Sequence, residues 1–350
     1  MGKKSEYNEY LKKEKYNKFK DLEHRLPTYV HPYLESMVID YQINTLIAYA
    51  RDLITFFEYL QEMNPTLKDV KINQIPEDVL KALTPQDIIE YRNYLASNNG
   101  IYEHSNQASS IERRMAPLRG FFADACDNHI LNNNPTLLQN NHRRKRKEKK
   151  EITYMENNEV KNFLYIVENS LVSSPKQQKF CQKTQLRDTA IMVLLLNTGI
   201  RVSECVGIDM EDINFEDNSI KIVRKGGFES TIYFNGYVAH ALQDYIDNER
   251  IKYISSNDEK ALFLSSQKKR MAIRSIQAMV KKYATEAVPG KNLSPHKMRS
   301  TYGTALYEQT GDIRLVADVL GHEDVTTTAK HYAAMKKKHM QQAAQINPYN

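Results

Sequence analysis

The sequence predicts a mainly α-helical chain of two domains, a small helical bundle followed by a mixed α+β domain with a small β-hairpin or sheet. Its 350 residues exceed one typical core of roughly 100–200 residues. Apolar side chains recur at helical spacing in the first half, and short β-type runs appear only in the second. Between the halves, residues 139–152 carry seven Arg or Lys residues without apolar periodicity, which is typical of a linker.

The first half begins with a charged segment, residues 1–30, for which we expect one loosely attached helix. The next predicted helix has roughly 20 residues and starts near Tyr41, because side chains that are mostly apolar or aromatic follow at helical spacing. These side chains are those of Thr45, Tyr49, Leu53, Phe56, Phe57 and Leu60.

Two more helices complete the predicted bundle. One starts at Thr84-Pro85, since Thr suits the N-cap and Pro the first helical position. It is expected to turn three residues inward, Ile88, Tyr91 and Leu95. The other runs from about Ser109 to His129 and is stopped by the segment 132–135, NNNP.

The second half mixes helices with a hairpin. Residues 186–197 form a strongly apolar helix that Gly199 ends. The runs SIKIVR and STIYF, with Lys225-Gly226-Gly227 between them, predict a β-hairpin. Later helices start at Ser294-Pro295 and at Asp312, and the last one ends at Gly321.

Composition narrows the possible compartments. The net charge of +6 permits a polyanionic partner without demanding one. The chain has three widely spaced cysteines, Cys126, Cys181 and Cys205. An odd number at such spacings fits neither a disulfide framework nor a zinc site, and it indicates a reducing cytosol. No stretch approaches the roughly 20 apolar residues of a membrane span, so we expect a cytoplasmic protein.

Basic residues and a tyrosine stand at positions suited to phosphate chemistry. In TGIRVSE, Arg201 opens a short helix and Glu204 lies one turn along the same face, where an acid can hold an arginine in place. In HKMR, His296 and Arg299 are three apart on one helical face. The opposite face is expected to be apolar and buried, and it consists of Met298, Tyr302, Ala305 and Leu306.

A third segment follows near the C-terminus. In LGHEDVTTTAKHYAAM, His322 comes directly after the Gly321 helix stop, and Tyr332 lies ten residues further on. Tyr, Arg, His and Lys are the side chains that cutting and rejoining DNA without an energy source requires. They supply a nucleophile, cations for the phosphate oxygens and an acid for the leaving 5′ oxygen.

Together these segments resemble the signature boxes of the tyrosine recombinase, or phage integrase, family: TGIRVSE, HKMR, and LGH followed by Tyr332. A lysine in a hairpin turn between the first two boxes matches Lys225 in VRKGGFESTIYF. Order and spacing agree across roughly residues 153–335, and residues 37–138 resemble the family's helical, SAM-like core-binding domain. The implied domains are a charged extension 1–30, a core-binding DNA-binding domain 31–138, a basic linker 139–152, a catalytic domain 153–334 and a tail 335–350.

The resemblance implies site-specific recombination through a 3′-phosphotyrosyl intermediate formed by Tyr332. Arg201 and Arg299 would clamp the phosphate, Lys225 would protonate the 5′ oxygen, and Glu204 would orient its arginine. His296 would assist proton transfer at the tyrosine and His322 would bond the phosphate. No metal or nucleotide cofactor is implied, because the arginines take the electrostatic role of a divalent ion.

Two positions depart from the family pattern. His331 stands nine residues beyond His322 and Tyr332 ten. Family members use either spacing and histidine is not their nucleophile, so Tyr332 is assigned. Phe228 stands where a basic residue often follows the Lys-Gly-Gly turn.

Partners follow from the resemblance in the same way. They are double-stranded recombination sites, a homotetramer on a four-way junction, and accessory bending or directionality factors. The linker residues expected to follow the DNA backbone, rather than only to be solvated, are Arg143, Arg144, Lys145, Arg146 and Lys147. Residues 335–350 are either exchanged between protomers or frayed.

Alternative functions remain open at this point. A type IB topoisomerase-like enzyme would nick and reseal one strand, and a non-catalytic DNA-binding protein would keep the fold alone. A metal site formed by His296, His322 and His331 would lack the usual carboxylate or cysteine partners. The biological role could be integration or excision of a mobile element or resolution of chromosome dimers.

Overall fold

The computed structural model describes residues 4–97, 108–137, 153–224, 227–255 and 260–321. The chain divides into two compact units with the boundary between Lys147 and Glu148. Each unit buries its own hydrophobic cluster. The predicted linker, 139–152, lies outside the described residues, and no described helix is long and apolar enough to cross a membrane.

The regular elements described in the N-terminal unit are helices, and their order agrees with the predicted bundle. They are α1 (Lys4–Glu23), α2 (His31–Ser36), α3 (Ile43–Met63), α4 (Asp78–Lys81), α5 (Pro85–Ala96) and α6 (Ala108–Asp127). The predicted 20-residue helix is confirmed as α3, which buries Leu53, Phe56, Phe57 and Leu60. The start of α5 is confirmed as well, since the Thr84 hydroxyl accepts from the backbone N–H of Asp87 while that carboxylate accepts from the N–H of Thr84.

The loose attachment expected for residues 1–30 is wrong for the described part of that segment. Helix α1 packs along α3 and fully buries the aromatic ring of Phe19. Leu26 and Val30 join the same core. Charged side chains dominate the α1 sequence, so its few buried positions were hidden among polar neighbours.

Helix α6 ends earlier than predicted. The chain leaves the helix after Asp127, and His129 adopts a left-handed backbone with φ of 59°. The backbone N–H of Ile130 then donates to the carbonyl of Ala125 at 2.9 Å, which closes the last turn. A left-handed residue therefore stops this helix, several residues before Pro135.

The C-terminal unit is mixed α+β, as predicted. Its helices are α7 (Asn157–Glu168), α8 (Pro175–Lys183), α9 (Gln185–Thr198), α10 (Val202–Val206), α11 (Gly236–Asn248), α12 (Ile273–Ala287), α13 (Pro295–Thr310) and α14 (Ile313–Leu320). Its strands are β1 (Ile213–Asn214), β2 (Ser219–Val223) and β3 (Glu229–Tyr233), in the antiparallel order β1-β2-β3. The hairpin is confirmed as β2 and β3, with Ile220 opposite Ile232.

Helix α9 is the centre of this unit and sets the position of the site. Almost every side chain from Ala190 to Leu196 is fully buried, and α7, α11 and α13 pack around it. The helix ends at Gly199, whose φ of 62° turns the chain sharply. That turn delivers Arg201 to the start of α10.

Candidate active site

Arg201 stands at the N-cap of α10 and is held by Glu204 one turn later. The Arg201 guanidinium donates to Glu204 Oε1 at 2.8 Å, and the Arg201 backbone N–H donates to Oε2 at 2.8 Å. The Glu204 side chain is only 2% exposed, whereas 32% of the Arg201 side chain remains exposed. The carboxylate is thus a fixed support, and the arginine is the part that reaches solvent.

Arg299 approaches from α13 and is almost completely enclosed. Its guanidinium donates to the carbonyl of Gly199 at 2.7 Å and to that of Leu320, and the residue is 3% exposed. The sequence prediction that Arg299 lies opposite the buried face of α13 is therefore wrong. Met298 and Arg299 are both buried, because the carbonyls at the ends of α9 and α14 provide the polar partners that the arginine needs.

A third arginine, Arg224 at the end of β2, was not predicted. Its Nη1 donates to the Leu320 carbonyl and its Nη2 to the Val319 carbonyl, each at 3.1 Å. It also lies 3.7 Å from Glu204 Oε2. In sequence it directly precedes Lys225, and the only available signal was its place beside the Lys-Gly-Gly turn.

All three guanidinium groups meet at the C-terminal end of α14. The last carbonyls of a helix have no partner within the helix, and they lie at the negative end of its dipole. Arg201 donates to the carbonyl of Gly321 at 3.3 Å, while Arg224 and Arg299 share that of Leu320. The end of α14 is therefore fixed by cations from three other segments.

Gly321 fits this end for two reasons. Its φ is 61°, a left-handed conformation that glycine adopts without strain. A Cβ at this position would lie 2.7 Å from Arg224 Cζ, so a side chain would push that guanidinium away. His322 is the next residue in the sequence.

The cluster carries excess positive charge. Among the described residues it brings together three guanidinium groups, of which those of Arg201 and Arg224 lie beside the carboxylate of Glu204, and Arg224 is 12% exposed at its side chain. Burial lowers the pKa of Arg224, an effect that Glu204 opposes and the charge of Arg201 reinforces. Arginine stays charged throughout the physiological range, so the site offers fixed cations to an anion such as a phosphate.

Of the other predicted site residues, the structure describes only His296. His296 is exposed on the first turn of α13, one turn before the buried Arg299. Lys225, His322 and Tyr332 lie outside the described residues, as does the basic run 143–147.

Comparison with known proteins decides the family. Residues 153–339, more than half of the chain, match the sequence model of the phage integrase family. The chain belongs to the phage integrase family. This membership agrees with the arginines that TGIRVSE and HKMR bring together.

Known relatives of this integrase-family chain are recombinases. It is 30% identical over 317 residues to tyrosine recombinase XerC of Caldanaerobacter subterraneus subsp. tengcongensis, covering 87% of this chain and 82% of that one. It is 28% identical over 327 residues to tyrosine recombinase XerS of Streptococcus pyogenes serotype M2, covering 87% and 90%. The integrase-family chain is therefore a tyrosine recombinase, an enzyme of site-specific DNA recombination, and the topoisomerase-like and purely binding alternatives are not favoured.

The fold of this integrase-family enzyme also has solved counterparts. The XerH site-specific recombinase in its post-cleavage complex with palindromic difH substrate matches with a TM-score of 0.64 at 19% identity. The match covers 87% of this chain and 80% of that one. At this identity the likeness shows the fold, and it confirms the predicted recombinase architecture.

Proposed function

We propose that this recombinase cleaves each strand by attack of the Tyr332 hydroxyl on the scissile phosphate. The tyrosine oxygen bonds to phosphorus, the bond to the 5′ oxygen breaks, and a 3′-phosphotyrosyl link and a free 5′-hydroxyl result. Lys225 gives the leaving oxygen its proton, and His296 assists proton transfer at the tyrosine. A 5′-hydroxyl from a second strand reverses the step, so the phosphodiester energy is conserved.

The observation that carries this proposal is the convergence of Arg201 and Arg299 at the end of α14. These arginines come from segments 98 residues apart in the chain, yet both bond the backbone that directly precedes His322. Planar guanidinium groups suit a phosphate that gains charge in the transition state. His322 adds a hydrogen bond to the same phosphate, and Glu204 keeps Arg201 oriented.

The substrate in this proposal is a pair of double-stranded recombination sites. A homotetramer joins them through a four-way junction, with accessory bending or directionality factors where the site requires them. The XerH structure contains its difH DNA substrate, which supports DNA as the partner class. Resolution of chromosome dimers and movement of a mobile element both fit this chemistry.

Two segments outside the described residues complete the proposal. The basic linker residues contact the DNA backbone, where their charges neutralise phosphates. The tail 335–350 packs on a neighbouring protomer. The free state of Cys126, Cys181 and Cys205 supports a reducing, cytoplasmic location.

Covalent trapping tests the nucleophile. The full-length protein is incubated with nicked duplexes that tile its own genomic neighbourhood, and the mixture is denatured and examined for a protein–DNA adduct. We expect an adduct with the natural protein and none with Tyr332→Phe. An adduct that persists in Tyr332→Phe would show that Tyr332 is not the nucleophile.

A control separates binding from chemistry in this experiment. Both proteins should shift the same fragments in native gels, because the substitution removes only a hydroxyl and leaves every charge unchanged. If both bind and neither forms an adduct on any fragment, the catalytic assignment fails and the protein is a binding module.

A further inference from the structure

We infer that Arg224 is a positioning residue of the recombinase, which ties the turn after β2 to the end of α14. The inference rests on the proposed roles of Lys225, which follows Arg224 in the sequence, and of His322, which follows Gly321 at the end of α14. Arg224 itself is not offered as a group that touches the phosphate. Its function would be to keep the turn that carries the general acid Lys225 at a fixed separation from the end of α14, which His322 follows.

The contacts of Arg224 are specific in geometry. Two of its nitrogen atoms donate at 3.1 Å to two successive carbonyls, those of Val319 and Leu320. Its charge is balanced by Glu204 at 3.7 Å, the same carboxylate that holds Arg201. A single carboxylate thus supports the arginine at the start of α10 and the arginine at the end of β2.

The backbone of Arg224 is fixed as firmly as its side chain. Its N–H donates to the carbonyl of Phe228 at 2.8 Å, and its own carbonyl accepts from the N–H of Gly227 at 3.0 Å. These bonds close the β2–β3 hairpin around the turn. Arg224 therefore joins the end of α14, through its side chain, to the β2–β3 hairpin, through its backbone.

The burial of Arg224 explains why this tie is stiff. Only 12% of the side chain is exposed, and a hypothetical side chain on Gly321 would collide with its guanidinium carbon. Hydrogen bonds with a charged donor are roughly twice as strong as neutral ones, and burial protects them from screening. A lysine would keep the charge but would offer a point donor in place of the planar fork that reaches two carbonyls.

The test compares cleavage of two substrates by the full-length protein. One is a normal nicked duplex, and the other carries sulfur in place of the bridging 5′ oxygen at the scissile phosphate. A thiolate leaves without needing a proton, because a thiol is far more acidic than an alcohol. The sulfur substrate therefore bypasses the step assigned to Lys225.

We expect Arg224→Ala and Arg224→Lys to form the adduct roughly 10- to 100-fold more slowly on the oxygen substrate, below the full 10²–10⁴ typical of a lost general acid. On the sulfur substrate both variants should recover most of the rate, as should Lys225→Ala. Native-gel affinity of Arg224→Lys should stay close to that of the natural protein, because the positive charge is kept.

Lys179→Ala is the matched control for the loss of one positive charge. Lys179 is exposed on α8, which precedes α9 in the chain, and the 14 residues of α9 span about 20 Å before the chain reaches Gly199. This variant should cleave both substrates at the natural rate.

The outcomes distinguish this inference from the proposed function. If Lys225→Ala is slow and rescued by sulfur but Arg224→Ala cleaves normally, the positioning role is wrong and the proposed function stands. If Arg224→Ala is slow and sulfur gives no rescue, Arg224 does not act through the leaving group and the inference fails. If Lys225→Ala itself cleaves the oxygen substrate normally, the proposed general acid is wrong.

Discussion

Glu204 binds Arg201 at two points, accepting from its backbone N–H and from its guanidinium, each at 2.8 Å. A buried carboxylate with two such donors holds the arginine in place. Its removal should slow DNA cleavage without weakening DNA binding. We expect Glu204→Gln to slow adduct formation at least about tenfold, equivalent to roughly 1.4 kcal/mol of transition-state stabilisation. DNA affinity should stay equal or rise, because the cluster loses a negative charge.

The matched control for this change is Glu211→Gln, which removes one carboxylate from an exposed position of the same unit. Adduct rates and native-gel affinities of the two variants are compared under the same salt. Natural adduct kinetics in Glu204→Gln would show that the carboxylate does not orient Arg201.

Gly199 is expected to tolerate no side chain. Its φ is 62°, and a Cβ would lie 2.5 Å from Tyr302 Cδ1 and 2.8 Å from Leu320 Cδ2. Gly199→Ala should lower the free energy of unfolding by about 1–3 kcal/mol, from backbone strain and forced repacking. Denaturant unfolding of the full-length protein measures this loss.

Gly236→Ala is the control, since a Cβ there meets no atom within 4 Å at the start of α11. It should be neutral or stabilising by about 0.4–1 kcal/mol. Equal stability of the Gly199 and Gly236 variants would contradict the steric argument.

The N-terminal unit contains an ion pair that should respond to pH. Arg113 donates to both carboxylate oxygens of Asp52, at 2.8 and 3.1 Å, and Asp52 is buried. Burial raises the pKa of Asp52, and Arg113 opposes that shift. Arg113→Ala should therefore destabilise the protein at pH 7 by about 1–3 kcal/mol, because it leaves a buried charge without its partner.

The sign of the pH dependence follows from the raised pKa. The folded protein binds the Asp52 proton more tightly than the unfolded chain does. This difference stabilises the fold fully below the pKa of Asp52 in the unfolded chain, and the contribution is lost as pH rises through the pKa of Asp52 in the folded protein. The deficit of Arg113→Ala should shrink as the pH falls through the raised pKa of Asp52. Asp52→Asn combined with Arg113→Ala should remove the pH dependence, and a deficit independent of pH in the single variant would refute the assignment.

The cysteines should differ in reactivity with a thiol reagent. Cys181 and Cys205 are fully buried, and burial with the nearby charge of Glu204 raises the pKa of Cys205 far above its usual range. Cys126 is half-buried, and burial raises its pKa as well. We expect one slowly reacting thiol in the native protein and three in denaturant, and rapid modification of two native thiols would contradict the packing around α9.

Salt dependence tests the linker. If the protein neutralises on the order of 10 phosphates, log affinity should fall against log salt with a slope near −9. Replacing Arg143, Arg144, Lys145, Arg146 and Lys147 by Gln should reduce that slope by roughly 4 to 5. A slope near zero in the natural protein, or no change in the variant, would show that this run is only solvated.

Sequence predicts the local parts of this site well. Helix starts and stops depend on nearby residues, so Gly199, Ser294 and Gly321 mark element ends correctly. The same holds for the pairing of Arg201 with Glu204, which are one turn apart. Signals of this kind need no knowledge of the tertiary fold.

Long-range contacts escape such reasoning. Arg224 bonds carbonyls 95 and 96 residues away, and an arginine beside a Lys-Gly-Gly turn has the pattern of an ordinary hairpin residue. The burial of Arg299 depends equally on backbone carbonyls from other helices. Every residue has a carbonyl oxygen, so no sequence pattern shows which carbonyl will accept a hydrogen bond from a given arginine.

The separation of Arg201 from Gly321 has a consequence during synthesis. The ribosome adds 120 residues after Arg201 before it makes its partner carbonyl, which takes about 6 to 24 s at 5–20 residues per second. Throughout that interval a nascent chain can fold its N-terminal unit and still lack the end of α14. Chains still attached to the ribosome should therefore be unable to cleave DNA.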